Sequence, residues 1–127
     1  MKIYVAAPWV RKMEARNVAY AFADAGYDIT SRWLWLHGDS EDDHVKATEA
    51  QNDVDDVDAA DVLVLVNLEK SEGKAVETGM ALATHKPIVL IGERSNIFHY
   101  LPRVVVVSTI SQALNALKEI RCQVLTK

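Results

Sequence analysis

The chain has 127 residues and a mass of 14.1 kDa, which fits one domain because domains most often have about 100–150 residues. Its 50% hydrophobic and 25% charged residues exclude a disordered or fibrous chain. The net charge of −4 is uneven, since ten acidic residues and one lysine lie between Asp39 and Asp61. This distribution argues against a nucleic-acid polymer as the partner and leaves a more basic remainder that can receive a small anion.

Cysteine content and apolar runs exclude further classes of protein. The single cysteine, Cys122, excludes an intramolecular disulfide and a cysteine-based zinc site. The longest apolar runs, 62–66 and 104–107, are far shorter than the roughly 20 residues that span a bilayer, and the first residues lack the pattern of a signal peptide. We therefore expect a cytoplasmic protein with no membrane partner.

Predicted strands and helices alternate along the chain. In order they are a strand at 2–7, a helix at 10–25, a strand at 27–31, a loop at 32–39, a helix at 40–59, a strand at 61–67, a helix at 74–85, strands at 87–92 and 103–107, and a helix from 110. Gly26 ends the first helix. Ser40 with Asp43 resembles a capping box for the acidic second helix, and Ser108 or Thr109 caps the last one.

The third predicted strand indicates the type of sheet. Its apolar run is continuous rather than alternating, which is typical of a central parallel strand covered on both faces. Five strands alternating with helices predict one α/β domain over residues 1–127, with a doubly wound, mainly parallel sheet of flavodoxin or Rossmann type. A ligand crevice should open beyond the carboxyl ends of the strands, in the loops at 7–11, 32–39, 67–77 and 92–99.

Several common site motifs do not occur in the sequence. It has neither the G-x-G-x-x-G pattern of dinucleotide binding nor a P-loop, and no G-x-S-x-G elbow supports a serine hydrolase. The four histidines have no metal-ligand spacing, so no metal site is expected.

The segment 71–81 is the most informative, because it follows the central strand where the crevice should open. Glu77 is predicted in the first turn of its helix, where the helix dipole stabilises a carboxylate by roughly 0.3–1 kcal/mol and helps keep it ionised. A glutamate at this position is either a nucleophile or a residue that only stabilises the start of the helix.

Three short motifs resemble those of the nucleoside 2-deoxyribosyltransferase family and occur in the same order as in that family. They are residues 3–9 around Tyr4, the pair Asn52-Asp53, and residues 73–81 around Glu77. The family includes 2′-deoxynucleoside 5′-monophosphate N-glycosidases and pyrimidine-nucleotide N-hydrolases, and the resemblance extends from Ile3 to about Gly92. It implies cleavage of the N-glycosidic bond of a 2′-deoxynucleoside or its 5′-monophosphate, without a metal or an organic cofactor.

The resemblance also implies three catalytic roles. Glu77 matches the nucleophile that forms a covalent glycosyl-enzyme, which a base or water then resolves. Tyr4 matches the tyrosine that hydrogen-bonds this nucleophile, and Asp53 matches the aspartate that assists protonation of the leaving base. Without the resemblance, Tyr4 reads as an ordinary strand aromatic and Asp53 as part of a solvated helix face, like its neighbours Asp55 and Asp56.

Ser71 distinguishes two substrate classes within the family. Nucleoside transferases tend to have an aspartate at the matching position, beside the sugar 5′-hydroxyl, whereas 5′-monophosphate hydrolases tend to have a serine. Ser71 and the N–H groups of Gly73 and Lys74 can receive a phosphate at a helix N-terminus, although a plain N-cap serine explains the residue equally well. Lys74 or Arg11 could add positive charge.

The remaining substrate-binding predictions are Ala7, Trp33, Trp35, Asn96 and His99. A tryptophan can stack on a base, which is typically worth about 1–3 kcal/mol, but alternating tryptophans also suit a half-buried extended segment. Relatives offer polar groups from the loop after the fourth strand to a neighbouring subunit, so the resemblance implies a homodimer or larger homo-oligomer.

Two departures from the family make transfer to an acceptor base less secure than glycosidic cleavage. Residues 6–8 read Ala-Ala-Pro where many relatives have glycine, and the longer tail that supplies a group to the partner's site in the transferases does not follow Lys127. A monophosphate hydrolase that uses only water is therefore one alternative. A non-catalytic nucleotide-binding module is the alternative from another class.

Overall fold

The computed structural model describes residues 1–36, 38 and 40–125. Its strands are β1 (Lys2–Ala6), β2 (Asp28–Ile29), β3 (Val62–Asn67), β4 (Ile88–Gly92) and β5 (Val104–Val107). Its α-helices are α1 (Lys12–Asp24), α2 (Asp43–Ala59), α3 (Glu72–Ala83) and α4 (Ile110–Leu125), and 3₁₀ turns occur at Trp9–Arg11, Arg32–Trp35 and Ile97–Tyr100.

The five strands form one parallel sheet in the order β2-β1-β3-β4-β5. This order is that of flavodoxin-like folds and confirms the predicted doubly wound α/β domain. Helices α1 and α4 pack on one face of the sheet, and α2 and α3 pack on the other. Both faces of β3 are therefore covered, which explains why Val62 to Val66 are all buried.

The residues that cap the helices differ in part from those predicted. Asp42 begins α2, because its Oδ1 accepts hydrogen bonds from the amides of His44 and Val45 at 2.8 and 3.1 Å. The predicted cap, Ser40, instead accepts from the amide of Asp42 at 3.1 Å. Of the two candidates before α4, Thr109 is the cap, since its hydroxyl accepts from the amide of Gln112 at 3.1 Å.

Helix α3 begins two residues earlier than predicted. Ser71 is its N-cap and accepts a hydrogen bond from the amide of Lys74 at 3.4 Å. Glu77 is consequently in the second turn of α3, not the first. Because the favourable effect of the helix dipole falls off within the first turn, the predicted dipole stabilisation of a Glu77 carboxylate does not hold.

Asp56 is buried, which corrects its prediction as part of a solvated helix face. Its carboxylate accepts from the backbone amide of Arg32 at 3.0 Å and forms an ion pair with the Arg32 guanidinium at 2.9 Å. The neighbouring Asp55 is exposed, as predicted. Asp56 thus fixes the start of the 3₁₀ turn that carries Trp33, within the segment predicted as an irregular loop.

Other parts of that predicted loop, His37 and Asp39, lie outside the described residues. The second strand is shorter than the predicted 27–31, since only Asp28 and Ile29 pair with β1. In the described ranges, no helix is both long enough and apolar enough to cross a membrane.

Candidate active site

A cleft of about 280 Å³ opens beyond the carboxyl ends of β1 and β3, the neighbouring strands between which the strand order reverses. Parallel α/β sheets bind ligands at such a switch point. The β1 loop contributes Ala7, and the 3₁₀ turn after β2 contributes Trp33. Helix α2 contributes Asp53, and α3 contributes Glu77. The fold thus brings together residues that are far apart in the sequence.

Tyr4 and Glu77 are in direct contact. The Tyr4 hydroxyl donates a hydrogen bond to Oε2 of Glu77, joining the buried centre of β1 to α3. Burial, followed by the nearby Glu77 carboxyl group, raises the pKa of Tyr4 far above its usual range. Tyr4 therefore stays protonated and its hydroxyl can donate to Glu77, which orients this carboxyl group in the cleft.

Glu77 itself is held in a protonated form at neutral pH. Burial raises the pKa of its carboxyl group from the ordinary 4.5 to about 8, with a further contribution from the charge of Asp53, and the hydrogen bond from Tyr4 opposes this rise. The sequence predicted an ionised carboxylate. That prediction is wrong for the ligand-free site, because partial burial outweighs the one hydrogen bond.

Glu77→Gln should therefore stabilise the protein in a pH-dependent way. The pKa of Glu77 is higher in the folded chain, at about 8, than the ordinary 4.5 of an unfolded chain, so the wild type loses stability as pH rises from about 4.5 to 8. Glutamine has no proton to lose. We expect the variant to equal the wild type near pH 4 and to exceed it by a few kcal/mol above pH 8, on the order of the shift.

Urea unfolding at pH 4, 6 and 9 checks this expectation. Glu119→Gln is the matched control, because Glu119 is exposed on α4 and does not line the cleft. An equal stability difference between Glu77→Gln and the wild type at all three pH values would contradict a carboxyl group that folding keeps protonated.

Asp53 lines the same cleft from α2. Burial raises the pKa of its carboxyl group to about 6, with further contributions from the charges of Asp56 and Glu49, while Arg32 acts in the opposite direction. A carboxyl group with a pKa near 6 can hold a proton close to neutral pH and give it up during a reaction. Two carboxyl groups of the cleft thus have distinct proton affinities.

The start of α3 provides the polar end of the cleft through Ser71, Gly73 and Lys74. The Ser71 hydroxyl acts as the N-cap, which is one of the two roles expected for it. Lys74 is only 5% exposed, and its ammonium group donates to Oδ1 of Asn67 at 2.6 Å and to the carbonyl of Glu69. Its positive charge therefore lies beneath the helix start rather than on the open surface.

Arg11 does not provide a free positive charge. Its guanidinium forms ion pairs with Glu69 at 2.6 Å and with Glu14 at 3.2 Å. The donors at the helix start are accordingly the first amides of α3, which have no intrahelical acceptor.

Only one of the two predicted tryptophans lies in the cleft. Trp33 is buried, donates from Nε1 to the carbonyl of Val5 at 2.8 Å, and has its ring centroid 6.1 Å from that of Trp9. Trp35 does not line the cleft, since it packs against Tyr20 with 5.5 Å between ring centroids. In a 3₁₀ turn, unlike the extended segment considered from the sequence, alternate residues do not share a face.

Asn96 and His99 lie outside this cleft as well. They line a neighbouring cavity of about 390 Å³ that shares Ser71 and Lys74 with the cleft. His99 is buried, and its Nδ1 accepts from the amide of Ser95 at 3.0 Å. Burial and the charge of Lys74 lower the pKa of His99, so its ring is neutral at pH 7.

Five cleft residues were not predicted as site residues from the sequence, namely Trp9, Leu36, Lys46, Glu49 and Ala50. Lys46, Glu49 and Asp53 follow the spacing i, i+3, i+7, which puts them on one face of a helix. This spacing is a signal that could have identified the first two once Asp53 was singled out. Among the described residues, no group of three or more acidic, histidine or cysteine side chains could hold a metal ion.

The chain matches a family of known proteins over most of its length. The model of the nucleoside 2-deoxyribosyltransferase family matches residues 3–116. No curated protein sequence matches the chain significantly.

Solved structures of the same fold include a 2-deoxyribosyltransferase from Bacillus psychrosaccharolyticus. It is 19% identical, has a TM-score of 0.71, and the match covers 89% of this chain and 90% of that one. A CMP N-glycosidase from Clostridium botulinum is 17% identical with a TM-score of 0.60, covering 93% and 98%. A conserved protein from Enterococcus faecalis V583 is 19% identical with a TM-score of 0.64, covering 94% and 98%. At these identities the structures show a shared fold.

Proposed function

This chain belongs to the nucleoside 2-deoxyribosyltransferase family, and we propose that it cleaves the N-glycosidic bond of a 2′-deoxynucleoside or its 5′-monophosphate through a covalent glycosyl-Glu77 intermediate. Members of the family are N-glycosyl transferases and hydrolases that act on nucleosides or nucleotides. The observation that carries the proposal is the hydrogen bond from Tyr4 to Glu77, in a cleft that also contains Asp53. This contact supplies an oriented carboxyl group together with a second one that can donate a proton.

In the proposed reaction, an oxygen of the ionised Glu77 attacks C1′ of the sugar. The bond between C1′ and the base breaks, its electron pair leaves with the base, and Asp53 gives its proton to the base. Water then attacks C1′, releases the Glu77 carboxylate and passes a proton to Asp53. An acceptor base in place of water gives transfer instead of hydrolysis, and two displacements retain the configuration at C1′.

The two pKa values affect how much of the ligand-free enzyme is ready to react. The reaction needs Glu77 ionised and Asp53 protonated, although Glu77 has the higher pKa, at about 8 against about 6. Most of the singly protonated enzyme then carries its proton on Glu77, so only a minor fraction has the reactive arrangement. The rate should therefore be greatest near pH 7, between the two values.

A panel of 2′-deoxynucleosides and their 5′-monophosphates tests the proposal directly. Release of free base, followed by chromatography, is the expected result, and a second base in the mixture distinguishes transfer from hydrolysis. Tight binding of a nucleotide without release of base from any substrate would contradict the proposal and support a binding module.

The start of α3 is the proposed binding site for the 5′ end of the substrate. A 5′-phosphate there accepts hydrogen bonds from the Ser71 hydroxyl and the first amides of α3, and it is near the buried Lys74 charge. We expect the monophosphate to be a better substrate than the nucleoside, and Ser71→Asp to reverse this preference. Aspartate is as good an N-cap as serine, so the variant should keep its fold.

Values of kcat/KM for matched nucleoside and monophosphate pairs measure this preference. A new carboxylate beside phosphate in a partly desolvated site should change the ratio by about a hundredfold or more. Ser108→Asp is the control, because Ser108 is exposed before α4. An unchanged ratio in Ser71→Asp would show that Ser71 only caps the helix.

The proposed enzyme is a homodimer or larger homo-oligomer. Ile97, Phe98 and Tyr100 expose large apolar side chains beside the loop that follows β4, and association buries such surface. Light scattering at the assay concentration tests this, since an active species of 14.1 kDa would refute it.

A further inference from the structure

Glu49 is a carboxylate of the cleft that the proposed reaction does not use. It lines the cleft from α2, one helical turn before Asp53, and it is half-buried. In the described part of the chain, nothing donates a hydrogen bond or forms an ion pair with its carboxylate, and Lys46 on the preceding turn is not paired with it. A half-buried acceptor without a partner in a substrate cleft is expected to meet a donor on the ligand.

We propose that Glu49 accepts a hydrogen bond from an exocyclic amino group of the substrate's base. The enzyme then prefers amino-substituted bases, cytosine or adenine, over the matching oxo bases, uracil or hypoxanthine. This inference rests on the proposed function of the cleft and names the class of base that it takes.

The spacing along α2 gives Glu49 the position required for this contact. Asp53 is the proposed proton donor, so it faces the side of the base near the glycosidic bond. Four residues of helix correspond to about 6 Å along the axis, which places Glu49 further along the wall, toward the far edge of the base. The exocyclic groups of cytosine and adenine are at that edge, while the rings of Trp9 and Trp33 line the cleft and can stack on the base.

Hydrogen-bond chemistry then selects between the two kinds of base. An ionised carboxylate only accepts hydrogen bonds, so an amino group satisfies it whereas a carbonyl oxygen at the same place does not. An oxo base displaces water from the Glu49 carboxylate and places a carbonyl oxygen, a second acceptor, beside it. The carboxylate then has no donor, which costs binding free energy. Lys46 has the opposite chemistry, but it is exposed and one turn further from Asp53.

Matched substrate pairs test the inference. Free-base release is measured for the deoxynucleotides of cytosine against uracil and of adenine against hypoxanthine, in wild type, Glu49→Gln, and Asp55→Asn as the control. Asp55 is exposed on the same helix and does not line the cleft. We expect the wild type and the control to favour the amino base by about tenfold to a hundredfold in kcat/KM, and Glu49→Gln to reduce this ratio at least about tenfold.

Binding measurements separate this inference from the proposed function. The same pairs are titrated calorimetrically into Glu77→Gln and into the double variant Glu77→Gln/Glu49→Gln. A preference for the amino base that depends on Glu49 supports the inference, whether or not the wild type releases base. A failure of the wild type to release base would refute only the proposed reaction. An equal or reversed preference in the presence of Glu49, or a ratio that Glu49→Gln leaves unchanged, would overturn the inference.

Discussion

Glu77→Gln should lower the rate of base release by at least about a thousandfold while the chain remains folded. Glutamine has nearly the shape of the protonated glutamate and can still accept the hydrogen bond from Tyr4, but its amide oxygen is a far weaker nucleophile toward C1′. A covalent step that the wild type uses is thereby lost. Equal losses in kcat and kcat/KM are expected, because the lost interaction is made only in the transition state.

Single-turnover assays of wild type, Glu77→Gln and Glu119→Gln measure this effect. The Glu119 variant changes the same residue type on an exposed part of α4 and should keep nearly the wild-type rate. Near-normal release of base by Glu77→Gln would exclude Glu77 as the nucleophile. Urea unfolding of the same samples shows whether a loss of rate is due to unfolding of the variant.

Asp53→Asn should lower the rate of base release by about a hundredfold to ten-thousandfold, the usual contribution of a proton donor. The loss should be smaller for bases that leave readily as anions, because they need less help from a proton. A structural role of Asp53 would lower the rate for every base by the same factor. The comparison of several bases therefore distinguishes the two roles.

The pH profile of Asp53→Asn provides a second, independent readout. The wild-type profile falls above pH 8 because the singly protonated enzyme is lost. Asparagine does not ionise, so only Glu77 titrates in the variant. Its rate should therefore rise with pH as Glu77 ionises and then stay constant. Its midpoint should lie below about 8, since the Asp53 charge no longer raises the pKa of Glu77. Asp55→Asn, with an exposed carboxylate on the same helix, should keep the bell-shaped profile.

The fold was predictable because its main signals are local. A continuous apolar run at 62–66 requires a strand covered on both faces, and the alternation of strands with helices predicts parallel crossovers. The strand order β2-β1-β3-β4-β5 follows from the packing of α1 and α4 against one face and of α2 and α3 against the other.

The site was predictable only in part, since its contacts are between distant residues. Tyr4 and Glu77 are 73 positions apart, and only the resemblance to a family linked them. The burial of Asp56 depends on its ion pair with Arg32 across the structure, and the pKa of Glu77 depends on how deeply α3 packs against β1. Helical spacing from Asp53 to Glu49 was visible in the sequence, but nothing local shows which face of α2 meets the cleft.

Trapping the covalent intermediate tests the central claim most directly. The enzyme is mixed with a deoxynucleotide in excess, quenched with acid within one turnover, digested and analysed by mass spectrometry, with Glu77→Gln as the parallel sample. We predict that the peptide containing Glu77 gains the mass of the deoxyribosyl group of the substrate, on Glu77 itself, and that the variant shows no such gain. Rapid base release with no modified peptide, or with the sugar on a different residue, would contradict the account.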